Sequence, residues 1–339
     1  MIDEIKNNSS APEDILDTTL RPLSWDDYVG QDKIKENILI MLQAAKQRNE
    51  SPEHLLLYGN PGLGKTTLAY LIAKEVSSEI KVVAGPGIEK PGDLVAILTN
   101  LEEGSVLFID EIHRLSRPTE ESLYTAMEDF KLNLILGKGP MARTMVLDLP
   151  RFTLIGATTK LASVSSPLRT RFGAILGLNF YEQKDIKKIL QRSSQLLRIS
   201  TNEDALNVLS ERSRFTPRVA NHLLKRARDY AQIKGKGFLT EAIANEALLS
   251  LEIDELGLTA HDLRILNALV NQFNGRPVGL QALAAIIAEE ENTILEVYEP
   301  YLMRQGLIER TPKGRRATGL AFKHLNKRPP SKTENLFSL

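Results

Sequence analysis

The segment GNPGLGKT, Gly59 to Thr66, constrains the fold more than any other part of the chain. It follows the apolar run HLLLY and precedes the helical segment TLAYLIAKEV, which is the strand, turn and helix context of a P-loop. Glycines in such a turn let backbone N–H groups face phosphate oxygens at a helix N-terminus. We therefore expect Lys65 to reach the β- and γ-phosphates of a nucleotide and the Thr66 hydroxyl to bind Mg²⁺.

Short apolar runs recur after the P-loop and alternate with helical stretches. They are KVVAG from 81, SVLFID from 105, FTLIGATT from 152 and AILGLNF from 174. These runs show little alternation of apolar and polar residues, as expected for parallel strands that are buried on both faces. The sequence predicts a large α/β domain with a parallel sheet over residues 1–181.

The pattern then becomes helical only, and we predict a small all-α domain over 182–252. Its helices are expected at 183–197, 202–214, 217–234 and 240–251. Thr201 and Thr240 are expected N-caps, and Thr216-Pro217 is a typical helix start.

A third domain is predicted over 253–339. Helices near 259–273, 279–289 and 292–305 precede two short strands, LIERT and RRATG, which is the order of a winged helix. Pro300 should kink the third of these helices or end it early. The final residues, PPSKTENLFSL, are expected to be flexible.

Composition excludes several classes of function. The 339 residues carry 43 basic and 43 acidic side chains and no Cys, which excludes disulfides, thiolate metal sites and a uniformly basic protein. No uncharged apolar run reaches the roughly 18 residues that span a bilayer. The N-terminus does not resemble a signal peptide, so we expect a cytoplasmic protein without a membrane segment.

A second group of polar residues follows the strand Val106–Asp110. Asp110 is expected to hold the Mg²⁺ shell and Glu111 to polarise an attacking water, which favours ATP hydrolysis over a passive nucleotide switch. The alternative is a solvated acidic pair that ends a strand.

Two more segments are candidates for contacts with the γ-phosphate. Thr158 and Thr159 end the fourth apolar run, although adjacent threonines are also ordinary strand residues. The loop SSPLRTRFG is expected to send the guanidinium groups of Arg169 and Arg171 outward with no neighbouring carboxylate, which suits an arginine finger but equally a solvated surface.

The segments GNPGLGKTT, FIDEIHRL, GATTK, PLRTRFG and FTPRVANHLLKRARD, in this order, resemble the AAA+ ATPases. More narrowly, the chain is similar to the RuvB family of bacterial Holliday junction branch-migration motors. TLRP, DDYVGQ, GIEKPGDL, KGPMARTMVLDLP and RQGLIERTPKGRRAT extend the resemblance over residues 18 to 325.

The resemblance implies specific roles for residues of this chain. Catalytic roles fall on Lys65, Asp110, Glu111, Thr159 (sensor 1), Arg171 (a finger acting on a neighbouring subunit) and Arg218 (sensor 2). Positions near ATP or ADP are Leu20, Arg21, Gly62, Lys65, Thr66, Thr67, Glu128, Asp129, Phe130, Arg171, Tyr181 and Arg218. The resemblance implies that Thr66 and Asp110 bind Mg²⁺ and that Arg310 and Arg315 contact DNA.

The resemblance also implies partners: a homo-hexameric ring, the duplex arms of a Holliday junction, the junction-binding protein RuvA and, indirectly, the resolvase RuvC. The apolar hairpin at 132–149, with Leu134, Ile135 and Met141 expected at its surface, would dock on RuvA. Its alternative is a hairpin packed in the core.

The basic stretch 304–332 would contact phosphates without reading bases, or it is simply a solvated basic face. Glu291, Glu296 and Glu299 on the preceding helix oppose insertion into the major groove.

Two residues depart from the family pattern: Asn60 in the P-loop, where Pro is common, and Phe108 in the strand before Asp110, where a polar residue is common. Neither removes a ligand. A rival reading is a nucleotide-gated switch of the clamp-loader or initiator type, and a winged-helix regulator with a degenerate ATPase is a third.

Overall fold

The structure is a computed structural model that describes residues 18–136 and 143–329. Contacts divide the chain into two compact units. The first comprises Met1–Ile189 with Thr216–Arg218, and the second comprises Leu190–Phe215 with Val219–Leu339. The division into three domains predicted from the sequence stays a prediction.

The first unit is built on a five-stranded parallel sheet with the strand order β2-β3-β6-β1-β7. Its strands are β1 (Leu55–Tyr58), β2 (Ile80–Ala84), β3 (Val106–Asp110), β6 (Thr153–Thr158) and β7 (Ala174–Gly177). Each coincides with one of the predicted apolar runs, and β1, β3 and β6 are buried almost throughout. The predicted α/β class with a parallel sheet is confirmed.

The register of this sheet places the carboxyl ends of neighbouring strands, where the candidate site residues follow, side by side. Tyr58 of β1 pairs with Thr158 of β6, and Ala84 of β2 pairs with Asp110 of β3. Because parallel strands present their carboxyl ends at one edge, the P-loop after β1, Glu111 after β3 and Thr159 after β6 all leave the sheet at that edge.

Helices surround the sheet and supply its core. They are α1 (Asp32–Arg48), α2 (Lys65–Glu75), α3 (Pro91–Thr99), α4 (Arg117–Asp129), α5 (Ser166–Arg169) and α6 (Gln183–Leu196), the last of which continues past Ile189 into the second unit. Phe108 and Phe152 are among the largest fully buried side chains. Phe108 therefore acts in packing, as predicted for this departure from the family pattern.

An antiparallel hairpin of β4 (Lys131–Leu136) and β5 (Arg143–Asp148) lies between α4 and β6. Lys131 pairs with Asp148 and Asn133 with Val146. The predicted hairpin is confirmed, but the side chains of Leu134, Ile135 and Met141, on which its surface character was predicted, lie outside the described part of the structure.

The second unit begins with helices and one short strand pair. Its first elements are β8 (Ser200–Thr201), α7 (Glu203–Glu211), α8 (Pro217–Lys234), β9 (Phe238–Leu239) and α9 (Glu241–Ser250), where α8 starts within the Thr216–Arg218 segment of the first unit. The expectation of helices alone is wrong, because β8 and β9 pair in parallel.

The caps of these helices confirm one prediction and correct another. Thr240 caps α9 by accepting the backbone N–H of Ile243. Thr201 does not cap α7: it lies in β8, and the Asn202 side chain accepts the N–H of Ala205 instead. Asn is at least as good an N-cap as Thr, and the strand pairing occupies Thr201.

The same unit continues as a winged helix. Its elements are α10 (Ala260–Asn267), a π-helix (Ala268–Gln272), α11 (Leu280–Ile287), α12 (Glu291–Thr293), a second π-helix (Ile294–Tyr298), α13 (Glu299–Arg304), β10 (Ile308–Thr311), β11 (Gly314–Ala317) and α14 (Gly319–His324). Strands β10 and β11 form the predicted antiparallel wing.

Pro300 does not end its helix early. The chain is helical from Glu291 to Arg304, with the π-helix directly before α13 and Pro300 in the first turn of α13. A proline removes one backbone N–H and crowds the preceding turn, and the wider π-helical turn accommodates both effects.

Arg214 and Phe215 connect the helical segments of the second unit to its winged helix through an ion pair and aromatic contacts. Arg214 donates to both carboxylate oxygens of the fully buried Asp262, at 3.2 and 3.3 Å, and its guanidinium lies 4.5 Å from the Tyr301 ring centre. Phe215 lies 6.0 Å from Tyr301, and Arg304 lies over its ring. Both Arg214 and Phe215 have positive φ, so this anchor is held in a backbone conformation that non-glycine residues rarely adopt.

Candidate functional site

The P-loop is built as its sequence predicts. Gly62 and Gly64 have φ of 78° and 97°, a region that favours glycine, and Gly64 is the N-cap of α2. Lys65, the first residue of that helix, is 7% exposed. Its Nζ donates to the carbonyls of Gly59 at 2.7 Å and Asn60 at 3.1 Å, so the ammonium lies along its own loop.

The Asn60 contact explains why this departure removes no ligand: Lys65 uses the backbone carbonyl of Asn60, which every residue type provides. Burial lowers the pKa of Lys65, and the nearby carboxylates of Asp110 and Glu111 oppose that shift. A charged, partly desolvated amine beside a helix N-terminus provides strong attraction for phosphate.

Asp110 and Glu111 take different positions at the end of β3. Asp110 is the last strand residue, and its Oδ1 accepts the N–H of Glu111 at 2.9 Å. Burial raises the pKa of Asp110, while that N–H and the charges of Lys65 and Arg218 oppose the rise. Glu111 adopts φ of 50°, which turns the chain out of the strand.

Glu111 is the centre of a hydrogen-bond cluster. Its Oε2 accepts the Thr159 hydroxyl at 3.2 Å and lies 3.1 Å from Nδ1 of His113. Thr158 is fully buried, and its Oγ1 lies 2.9 Å from the same His113 nitrogen. The structure thus brings Glu111 and Thr159 together, as their predicted roles require, and adds His113 and Thr158.

Arg218 also lies at the P-loop. Residues 216–218 group with the first unit, and a Cβ built on Gly62 would lie 2.9 Å from the Arg218 Cβ. Its charge acts on both Lys65 and Asp110. This position suits the role predicted for Arg218.

A pair of buried tyrosines lies behind the P-loop. The Tyr181 hydroxyl donates to the Leu63 carbonyl at 3.3 Å, and the Tyr28 hydroxyl lies 3.4 Å from the Tyr181 oxygen. Burial raises the pKa of Tyr28 and raises that of Tyr181 to about 12, so both phenols stay neutral at physiological pH. Tyr181 was predicted to lie near the nucleotide, and its contact with the P-loop backbone agrees with that.

Leu20 and Arg21, which the resemblance implies line the adenine pocket, lie near the start of the described chain. Leu20 is buried, and the Arg21 guanidinium lies 4.0 Å from the ring centre of Tyr70 on α2. For Thr66 and Thr67, the structure gives the position that the P-loop requires, in the first turn of α2.

Arg171 contacts residues of α4 and α5 in its own chain. Its guanidinium donates to Glu128 at 3.1 Å and to the Pro167 carbonyl at 2.7 Å, and it lies 4.4 Å from the Tyr124 ring centre. Its side chain is 22% exposed, so the expectation of an outward-facing, unpaired guanidinium is wrong. A finger for a neighbouring subunit would need to exchange its Glu128 contact for phosphate.

Helix α4 ends with Glu128 and Asp129, and Phe130 follows as its C-cap. Phe130 packs edge-on against Phe152, 5.8 Å between ring centres, and 6.3 Å from the His54 ring. The Phe130 side chain packs against these two rings, and the predicted positions of Glu128, Asp129 and Phe130 near the nucleotide stay predictions.

Arg310 and Arg315 converge on one carboxylate in the winged helix. Both donate to Glu299, whose side chain is fully buried; the Arg315 contact measures 3.2 Å. The Arg310 side chain is 54% exposed and that of Arg315 only 16%. Glu299 therefore does not face solvent, and the expectation that it opposes insertion of this helix into the major groove is wrong: its carboxylate is buried against Arg310 and Arg315.

Comparisons with known proteins decide the family. The model described as the Holliday junction DNA helicase RuvB P-loop domain matches residues 20–178, the RuvB AAA lid domain matches 181–254, and the RuvB C-terminal winged helix domain matches 255–326. The chain belongs to the RuvB family. The AAA+ fold with a lid and a C-terminal winged helix is confirmed with it.

Relatives agree with this assignment. The Holliday junction branch migration complex subunit RuvB of Dehalococcoides mccartyi is 54% identical over 311 residues, which cover 92% of this chain and 89% of that protein. A solved structure of the Thermotoga maritima RuvB Holliday junction branch migration motor has 45% identity and a TM-score of 0.84, covering 92% of this chain and all of that one. A substitution mutant of the same Thermotoga protein also gives 0.84, at 45% identity, with 92% and 99% covered.

Sequence reasoning missed several residues of this RuvB site. His113 follows the acidic pair by two residues, and its place in FIDEIHRL was the available signal. Tyr124, one turn of α4 before Glu128, carried no such signal, because its contact with Arg171 joins residues distant in sequence.

Proposed function

We propose that this chain is the ATP-driven motor of Holliday junction branch migration in homologous recombination and DNA repair. The observation that carries the proposal is the Glu111–Thr159 contact beside a complete P-loop, in a member of the RuvB family. A carboxylate held by a hydroxyl near the γ-phosphate position is the arrangement that hydrolysis needs and that a passive switch does not.

ATP binds at the P-loop, with the backbone of residues 59–66 and Lys65 on its phosphates. Thr66 and Asp110 would hold Mg²⁺; hydroxyl and carboxylate oxygens are the hard donors that this ion prefers, and burial beside Lys65 suits a shared phosphate and metal site. Mg²⁺ would neutralise charge on the phosphates. No cluster of three or more potential ligands of the His, Cys, Asp and Glu types occurs among residues 18–136 and 143–329.

Glu111 takes a proton from the attacking water, and Thr159 fixes the carboxylate that does so. Arg218 contributes positive charge next to Lys65. Arg171 completes the site of a neighbouring subunit, where its planar guanidinium stabilises charge that develops in the transition state. A finger acting in trans makes an oligomer obligatory for turnover, and we propose a hexameric ring.

DNA is bound by the wing through Arg310 and Arg315, which contact phosphates of the duplex arms. Partner binding is assigned to the hairpin at 132–149, where Met145 is 40% and Val146 54% exposed. Exposed apolar side chains on a hairpin suit docking on RuvA. The resolvase RuvC would act with the same junction complex.

Because its substrate is chromosomal DNA, we place the motor in the bacterial cytoplasm. No helix in the described ranges is long and apolar enough to cross a bilayer.

The test measures ATP hydrolysis and dissociation of a synthetic four-way junction, with and without RuvA, for the wild type, Glu111→Gln and Arg171→Ala. Each variant alone should retain only a slow residual hydrolysis of ATP. A mixture should regain part of the hydrolysis, since a Glu111→Gln subunit can lend its finger to an active Arg171→Ala site.

The matched control for the finger is Arg169→Ala, two residues earlier at the end of α5, which should hydrolyse ATP normally. If the wild type hydrolyses ATP but dissociates no junction under any condition, the clamp-loader-like switch replaces the motor. If the mixture stays inactive, the finger does not act in trans.

A further inference from the structure

His113 is the polar side chain in the Glu111 cluster to which the proposed mechanism gives no role. It lies in a short 3₁₀ turn, Ile112–Arg114, directly after Glu111, and its side chain is 11% exposed. Its Nδ1 is 3.1 Å from Glu111 Oε2 and 2.9 Å from Thr158 Oγ1. One ring nitrogen thus serves two oxygens from different strand ends.

Hydrogen-bond chemistry fixes which atom donates. An ionised Glu111 carboxylate only accepts, so Nδ1 must carry the proton for the His113–Glu111 contact to be favourable. Thr158 Oγ1 already accepts the N–H of Lys160 at 2.9 Å and has room for one more donor. The Nδ1–H is therefore shared between Glu111 and Thr158, and Thr158 fixes the imidazole ring against the end of β6.

Both contacts of the carboxylate fall on the same oxygen. Oε2 of Glu111 accepts from Thr159 and from His113, so among the described residues Oε1 is the oxygen left for water. A carboxylate held by two donors at one oxygen loses its freedom to rotate. That loss of freedom before the reaction is what positioning contributes to catalysis.

We infer that His113 is a positioning residue for ATP hydrolysis, which, braced by Thr158, holds the Glu111 carboxylate so that Oε1 accepts the proton of the attacking water. The inference deepens the proposed ATPase function and rests on it. His113 acts through Glu111 and does not itself contact the nucleotide.

The test compares steady-state hydrolysis and nucleotide binding by full-length variants. His113→Ala should lower kcat about 10- to 100-fold, part of what a general base contributes. Its KM for ATP and its affinity for a fluorescent ADP analogue should change less than about twofold, because no phosphate contact is lost. His113→Asn, whose amide N–H can replace Nδ1–H, should recover most of the loss.

Thr158→Val removes the brace while keeping the side-chain volume, and it should lower kcat by a smaller factor than His113→Ala. His261→Ala, a histidine that stacks on Tyr298 in the winged helix, is the control and should hydrolyse ATP normally. Thermal unfolding of each variant shows whether the fold is intact. If His113→Ala does not fold, His113→Asn and Thr158→Val decide the question.

A double variant separates positioning from general damage. If His113 acts through Glu111, Glu111→Gln with His113→Ala should be no slower than Glu111→Gln alone, since interacting residues are non-additive. Full activity of folded His113→Ala, additive losses in the double variant, or a rise in KM with unchanged kcat would each overturn the inference. Failure of the wild type to hydrolyse ATP would instead overturn the proposed function.

Discussion

Gly85 is the first residue of the turn that follows β2, and it lies against the backbone of Asp110 and Glu111, the proposed catalytic pair. A Cβ added at Gly85 would be 2.5 Å from the Glu111 carbonyl oxygen and 3.1 Å from that of Asp110. Gly87, two residues later in the same 3₁₀ turn, has nothing within 4 Å of an added Cβ. Neither glycine has positive φ, so alanine differs between the two sites only in the space it meets.

We predict that Gly85→Ala impairs hydrolysis and that Gly87→Ala does not. Restoring the closest contact to 3.0–3.4 Å requires a shift of about 0.5–0.9 Å in the backbone of Glu111. A misplacement of about 1 Å near the reacting atoms costs about 100-fold, so we expect a kcat loss of about tenfold or more. Overpacking also costs about 1–3 kcal/mol of stability, offset by about 0.4–1 kcal/mol from the stiffer unfolded chain.

The assay is ATP turnover at saturating ATP, together with affinity for ADP and the unfolding midpoint in urea. Gly87→Ala reduces the conformational entropy of the unfolded chain by the same amount. The difference in turnover and in unfolding midpoint between the two variants therefore reports the contact with Glu111 alone. Equal turnover by two folded variants would refute the reasoning, because it would mean that the backbone of Glu111 can move without consequence for catalysis.

Three further predictions concern buried charge. Arg214→Ala leaves the carboxylate of Asp262 buried without its cation and should lower the free energy of unfolding by about 3 kcal/mol. The control Arg226→Ala, at an exposed ion pair, should lower it by less than about 0.5 kcal/mol. Equal urea midpoints for the two variants would contradict this prediction. Burial lowers the pKa of His54 below its usual 6.5, so its contribution to stability is complete above pH 6.5 and is lost as the pH falls toward the lowered value. His54→Gln should therefore lose less stability than the wild type between pH 7 and pH 5, and identical losses would show that another group is responsible. Glu299→Gln should weaken duplex binding by about threefold in a fluorescence titration if Glu299 orients the arginines of the wing, whereas tighter binding would indicate that only net charge matters.

The local chemistry of the nucleotide site follows from short segments of sequence. The spaced glycines before Lys65 and Thr66, between a strand and a helix, predict a phosphate-binding turn, because Gly62 and Gly64 can adopt the positive φ that most other residues disfavour. The buried strands were equally predictable, since a parallel sheet covered on both faces requires continuous apolar runs. Where local signals compete, as at Thr201 and Asn202, the sequence pattern predicted the wrong cap, because the strand pairing that occupies Thr201 is not visible locally.

Only the tertiary structure decided which of these residues meet. Glu111 and Thr159 are 48 positions apart, and their contact depends on β3 and β6 being neighbours in the sheet, which follows from packing and not from any local pattern. Glu299 shows that the sequence likewise does not reveal whether a charged side chain is buried. A glutamate on an amphipathic helix gives the same sequence signal whether it faces water or two arginines, because burial is a property of the folded surroundings. The sequence by itself determined the reaction chemistry that this chain carries, and the fold determined the partners of each charged group.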